Sequence, residues 1–124
     1  TQVLVAREHL EPVFVEYMVN LVVTGHVHAY QRSHHVAFGE LHDEGPMHIT
    51  VGSTGYDRLA EFPETIPGWV AAASTSSYGY GMLQVMNATH AEWNWVHTGH
   101  SDSETSSQRD PVIDNFVLKN QYSF

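Results

Sequence analysis

Two histidines one residue apart, His26 and His28, follow a glycine in the string Gly25-His26-Val27-His28. On extended chain, side chains at i and i+2 point to the same side, so both imidazoles can reach one metal cluster. Imidazole is the commonest protein metal ligand, and Gly25 removes a side chain where the backbone has to turn sharply. The spacing alone does not separate a ligand pair from a polar loop. The chain has ten histidines in 124 residues, and composition alone places an HxH pair about once in such a chain.

The elements that must hold these residues can be read from periodicity. Leu10, Val13, Phe14 and Tyr17 recur at helical spacing, which predicts a helix over residues 6–18. Pro12 lacks an N–H and clashes with the preceding turn, so the helix is expected to start no earlier than about Arg7. Leu21-Val22-Val23-Thr24 is a continuous apolar run, the pattern of a strand buried on both faces of a parallel sheet. Gly25 ends it, and sites in such folds gather beyond the carboxyl ends of strands. Residues 32–46 read as loop, 48–51 as a strand and 52–68 as irregular chain. Residues 80–86 and 90–97 read as a hairpin joined through Asn87-Ala88-Thr89. Trp93 and Trp95 share one face of it, as core residues, and Glu92 and Asn94 share the other. Residues 100–110 read as an exposed loop and 112–119 as a last strand, with Phe116 and Leu118 on one side. The order points to an α/β or α+β layered domain in one segment, residues 1–124. One helix cannot cover both faces of such a sheet, so a missing layer is expected from other polypeptide.

Composition excludes several classes. Five basic against fourteen acidic residues leave a net charge of −9 with histidine neutral, which disfavours binding to a nucleic-acid backbone or an anionic membrane. No apolar run approaches the roughly 20 residues of a membrane span. The chain has no cysteine, so disulfides, thiolate nucleophiles and Cys-type zinc sites are out. It opens at Thr1 without a methionine, as a processed product or an excised piece would.

The longer string Gly25-His26-Val27-His28-Ala29-Tyr30-Gln31-Arg32-Ser33 closely resembles the signature GHVHAYER of purple acid phosphatases, which belong to the calcineurin-like metallophosphoesterases. Residues 7–12 and 20–23 are similar to the helix and strand that lead into that signature. Pro46-Met47-His48-Ile49-Thr50-Val51-Gly52 is similar to the family's next strand and glycine turn. Tyr78-Gly79-Tyr80-Gly81 with residues 87–95 resembles its hairpin, and Asp114-Asn115-Phe116 its closing strand. The resemblance implies an α/β fold, the C-terminal part of a layered β-sandwich flanked by helices and incomplete in this chain. It implies a dinuclear centre of Fe(III) with Fe, Zn or Mn, with His26 and His28 each ligating one metal. It also implies hydrolysis of phosphate monoesters and a secreted or extracellular protein.

The family's Asp, GDxxY and GNH(E/D) motifs do not occur here, and Gln31 replaces a glutamate. This chain is therefore expected to supply two ligands of about seven, with the N-terminal part of the same protein as partner. It is expected to be inactive alone, and no catalytic residue is identified in it. A non-catalytic structural or assembly protein that keeps the fold is the alternative reading. A third is a mononuclear metal module using His26, His28 and one of His34, His35 or His42.

Other residues read more plainly. His34, His35, His42 and His48 are taken as solvated loop histidines, with a substrate entrance as the other reading. Arg32 is either a phosphate ligand or a structural salt bridge beneath the metal loop. Tyr78 and Tyr80 either rim the pocket or pack on the hairpin. Asn87-Ala88-Thr89 is the one N-x-S/T sequon; a hairpin turn exposes it, which makes Asn87 a candidate glycosylation site.

Overall fold

A computed structural model describes residues 2–55, 60–75, 77–100 and 112–120. The chain opens with helix α1 (Gln2–Glu16), followed by strands β1 (Leu21–Thr24), β2 (Tyr30–Ala37), β3 (Glu40–Leu41) and β4 (Met47–Val51). Strands β5 (Val70–Ser74), β6 (Ser77–Val85), β7 (His90–His100) and β8 (Val112–Lys119) complete it.

They form two sheets. In the first, β1 runs parallel to β4, with Leu21 opposite Met47 and Thr24 opposite Thr50. Strand β4 runs antiparallel to β2, with Tyr30 opposite Val51. The far edge of β2 is shared: β5 pairs along Tyr30–Ser33 and the short β3 along Val36 and Ala37. The second sheet is antiparallel, in the order β6-β7-β8. The layered arrangement expected from the resemblance is therefore present, with one helix among the described residues rather than helices on several sides.

The two sheets meet through side chains at period two. Tyr30 and Ile49 from the first sheet and Trp93 and Trp95 from the second form the buried core, with Leu21, Val51, Ala72 and Phe116 packed against it. The rings of Tyr30 and Trp95 stack with centroids 4.4 Å apart and planes 11° from parallel. Strand β6 makes room for the indoles with glycines. A Cβ on Gly81 would lie 2.0 Å from Trp93 Cη2, a severe overlap, and one on Gly79 would lie 2.8 Å from Trp95 Cε2.

Helix α1 lies on the other face of the first sheet and touches it sparsely. Phe14 meets His48 edge-on at 6.3 Å, and Glu11 Oε2 accepts the Phe38 N–H at 2.7 Å in the β2–β3 turn. The helix closes with Met18 in left-handed conformation at φ 55°. Met18 N–H donates to Val15 O and Val19 N–H to Phe14 O, a Schellman closure that glycine usually serves.

Several expectations are corrected here. The helix starts at Gln2, and Pro12 sits inside it; the carbonyl of Glu8, which a donor at position 12 would bond, lies on an exposed turn where water can serve it. The stripe meant to face the sheet is largely open, with Leu10 49 % and Tyr17 70 % exposed. Strand β1 is not buried on both faces: Leu21 and Val22 are half-buried and Val23 and Thr24 exposed. Residues 32–46 are not a loop, because most of β2 and all of β3 fall there. Strand β5 had no counterpart in the sequence reading, and the described part of β6 begins three residues earlier than expected. Of the expected loop 100–110, His100 belongs to β7 and the rest lies outside the described residues.

Two outcomes follow from this packing. Gly81→Ala forces a methyl into the Trp93 ring and should lower stability by about 1–3 kcal/mol, read from the urea midpoint at constant m-value. His48 is held below its ordinary value of 6.5 by burial, partly offset by Glu11. The folded state therefore binds fewer protons than the unfolded chain once pH falls below about 6.5, so stability drops on acidification through that range. His48→Gln should flatten the fall of the urea midpoint between about pH 7 and 5.

Candidate metal-binding loop

Both candidate histidines lie on the five-residue connection 25–29 between β1 and β2, beyond the carboxyl end of the parallel β1–β4 pair. Val27 N–H donates to Gly25 O at 2.9 Å and Ala29 N–H to Val27 O at 2.8 Å. These are two successive three-residue turns. His26 is the central residue of the first, at φ 69°, the sign of the rare classic γ-turn rather than of its relaxed inverse form. The connection is thus not the extended chain assumed for an i, i+2 pair. The sharp turn falls on His26 rather than on Gly25, where a Cβ would meet nothing nearer than Val51 O at 3.8 Å. His26 is exposed and His28 half-buried.

The loop rests on the turn after β4. Gly52 N–H donates to Ala29 O at 3.0 Å, and a Cβ on Gly52 would overlap the Val27 carbonyl. The carbonyl of His28 accepts the N–H of Ala60 at 2.9 Å. Glycine at position 52 is what lets the two turns touch.

Just past the loop, β2 carries a buried polar lock. Tyr30 OH donates to Asp114 Oδ2 at 2.5 Å and accepts Trp93 Nε1–H at 3.0 Å. Arg32 grips the same carboxylate through Nε at 2.7 Å and Nη2 at 2.9 Å, while its guanidinium lies 4.5 Å from the centroid of Phe116. Burial pushes Asp114 up, but the hydrogen bonds from Arg32 and Tyr30 outweigh it and hold the carboxyl below the usual range. Burial, then the hydrogen bond to Asp114, pushes Tyr30 well above the usual phenol value, so it stays neutral. Arg32 is thus the structural salt bridge of the two readings. The sequence reading quoted Tyr30 and Asp114 in motifs but gave neither a role. The available signal was a lone carboxylate alternating with Phe116 and Leu118 on one face of β8.

The other histidines scatter. His34 is exposed on β2. His35 Nδ1 bonds Gly45 O at 2.8 Å, His42 packs edge-on to Phe38 at 5.7 Å, and His48 lies under α1. The last three are half-buried, which corrects their reading as solvated loop residues. Among the described residues no three His, Cys, Asp or Glu side chains gather as a metal-holding group. Tyr80 projects away from the core, 46 % exposed.

Residues 45–108 match the family model described as iron/zinc purple acid phosphatase-like protein C. The chain belongs to that family. It is 40 % identical over 100 residues to purple acid phosphatase 18 of Arabidopsis thaliana, covering 79 % of this chain and 22 % of that one. It is 33 % identical over 129 residues to phosphoenolpyruvate phosphatase of Allium cepa, covering 94 % and 25 %. The fold matches that of purple acid phosphatase PPD1 from yellow lupin (Lupinus luteus) seeds with a TM-score of 0.76 at 23 % identity, over 94 % of this chain and 20 % of that one. The chain spans 22–32 % of the length of the relatives it matches.

Asp114→Ala leaves Arg32 without its carboxylate in a nearly buried site and should cost about 3–5 kcal/mol in urea unfolding. With Asp114 present, its depressed pKa contributes stability above the unfolded value of 3.8. That contribution should be lost as pH falls below it, and Asp114→Asn should remove this acid limb.

Proposed function

We propose that this chain contributes His26 and His28, one imidazole to each metal, to a dinuclear centre that hydrolyses phosphate monoesters at acid pH. The observation that carries the reading is the left-handed backbone at His26, at φ 69°, held against the Gly52 turn. Strain of this kind costs about 1–3 kcal/mol and persists only where the surroundings enforce it, most often at functional sites. Exposed and half-buried imidazoles beyond parallel strand ends suit Fe(III) with Fe, Zn or Mn. When bound at these imidazoles, such a pair would lower the pKa of a metal-bound water and neutralise charge on the phosphoryl group.

Within this chain, the Gly52 turn sets the height of the loop, and the Tyr30–Asp114–Arg32 lock fixes the strand that carries it onward. The remaining ligands come, on this reading, from the N-terminal part of the same protein. The half-open β1, with Val23 52 % exposed, and the open face of α1 suit such a partner. The same exposed Leu4, Val5, Leu10 and Val13 also suit the alternative, a non-catalytic assembly protein.

We assign the protein to a secreted or extracellular setting. Among the described residues no helix is long and apolar enough to cross a membrane. Asn87 is exposed in the β6–β7 turn. Its Oδ1 accepts from Thr89 N–H, Thr89 Oγ1 and His90 N–H, and glycosylation at its amide nitrogen fits that setting.

Metal analysis with a p-nitrophenyl phosphate assay on native material should find two metals per assembly and turnover at acid pH. His28→Ala should lose bound metal and more than about 100-fold in activity, beyond what outer-shell changes cost. An intact protein with neither metal nor turnover would instead support the assembly reading.

A further inference from the structure

Each candidate ligand is the middle residue of its own three-residue turn. The turn at His26 closes from Val27 N–H to Gly25 O at 2.9 Å, and the turn at His28 from Ala29 N–H to Val27 O at 2.8 Å. The two turns share Val27 but not their acceptors. A Cβ on Gly52 would overlap Val27 O and Val27 C and would lie 3.3 Å from His28 N, and these are its three nearest atoms. The overlapped oxygen is the acceptor that closes the His28 turn. The acceptor of the His26 turn, Gly25 O, is not among the three.

The backbone of Gly52 does not itself call for glycine, because its φ lies outside the left-handed range, unlike those of Gly39 and Gly55. What calls for it is the approach of the Val27 carbonyl, which only a residue without Cβ admits. The turn at position 52 is also held where it is. The strand before it is fixed to β1 with Thr24 opposite Thr50 and their hydroxyls 3.2 Å apart. Gly52 N–H donates to Ala29 O at 3.0 Å, and Ser53 O accepts Gly79 N–H from the second sheet at 2.9 Å. A side chain at 52 is therefore relieved on the loop side, by moving the peptide between Val27 and His28. That movement opens the His28 turn and swings its imidazole, while the His26 turn keeps its closing bond.

We infer that Gly52 is a positioning residue for His28: by leaving room for the Val27 carbonyl it sets where that imidazole stands, and so the affinity of one metal of the pair rather than of both. The assignment rests on the reading of His26 and His28 as ligands of different metals. Changes to groups that orient a metal ligand cost about 10–100-fold in metal affinity.

The test is zinc binding to the metal-depleted full-length protein by equilibrium dialysis, which does not depend on turnover. The wild type should bind two ions. Gly52→Ala should bind one ion as the wild type does and the other about 10–100-fold more weakly. His28→Ala should lose that same ion, so adding Gly52→Ala to it should weaken the remaining ion no further. Gly81→Ala, whose methyl meets Trp93 rather than the loop, should lose stability yet bind both ions as the wild type does. Wild-type affinity for both ions in Gly52→Ala, with an ion lost in His28→Ala, overturns the role of Gly52 and leaves the ligand reading standing. Two ions bound at full affinity by His28→Ala overturn both. Equal weakening of the two ions in Gly52→Ala, or the same weakening in Gly81→Ala, also overturns the role of Gly52. Should Gly52→Ala fail to fold, a crystal structure of the wild type decides. Val27 O should lie within about 3.6 Å of Gly52 Cα while accepting Ala29 N–H, and a gap there or an open turn at His28 overturns the assignment.

Discussion

The carboxylate of Asp114 is the point to which the rest of the fold is fastened. It takes two hydrogen bonds from Arg32 and one from Tyr30, and Tyr30 in turn receives the indole of Trp93. These groups come from β2, β7 and β8, so a single anion joins both sheets. A charge this deep is tolerable only when it is paired and its lone pairs are filled. Three donors meet that condition, and Phe116 covers the guanidinium from the side. Directional bonds of this kind fix the sheets' relative position more sharply than apolar packing alone, since hydrophobic contact is indifferent to small slips.

From that anchor the geometry passes outward in short steps. Tyr30 begins β2, and the loop with His26 and His28 ends one residue before it. Tyr30 also stacks on Trp95, which places the indole beside the glycines of β6. Gly79 of β6 bonds the turn at Ser53, and Gly52 of the same turn supports the Val27 peptide. The loop is therefore held at its exit by the polar lock and from below by the turn. The strained His26 lies between two fixed points, where a relaxed alternative would require one of them to move.

Much of this was readable from residue types, and the failures share a cause. The hairpin, the two indoles on one face, the closing strand and the metal-loop string all follow from period-two patterning or from the resemblance. Strand β2 was lost because its inward positions carry Tyr30 and Arg32 rather than a run of aliphatic residues. Periodicity counts apolar side chains and does not register a strand whose buried member is half of an ion pair. Strand β5, Val-Ala-Ala-Ala-Ser, is too small-residued to show an alternation. Strand β1 reads as central because Leu21, Val22 and Val23 are all apolar, yet it pairs only with β4 among the described residues. The γ-turn at His26 could not be read, because only a few per cent of non-glycine residues take positive φ, and even histidine, which is enriched there, does so too rarely for its presence to announce the turn.

The distance along the chain between Tyr30 and Asp114, 84 positions, has a consequence for biogenesis. During synthesis the first sheet emerges well before β8 exists. Until that last strand arrives, burying Tyr30 and Arg32 would strand a hydroxyl and a cation without their acceptor, at a cost of several kcal/mol of order. The unpaired polar groups of the early chain thus weigh against closure before β8 is present. A chain that ends before Asp114 can still bring Ile49, Trp93 and Trp95 together, but only by leaving the Tyr30 hydroxyl and the Arg32 guanidinium without their acceptor, so its docked state is less favoured than that of the chain with β8.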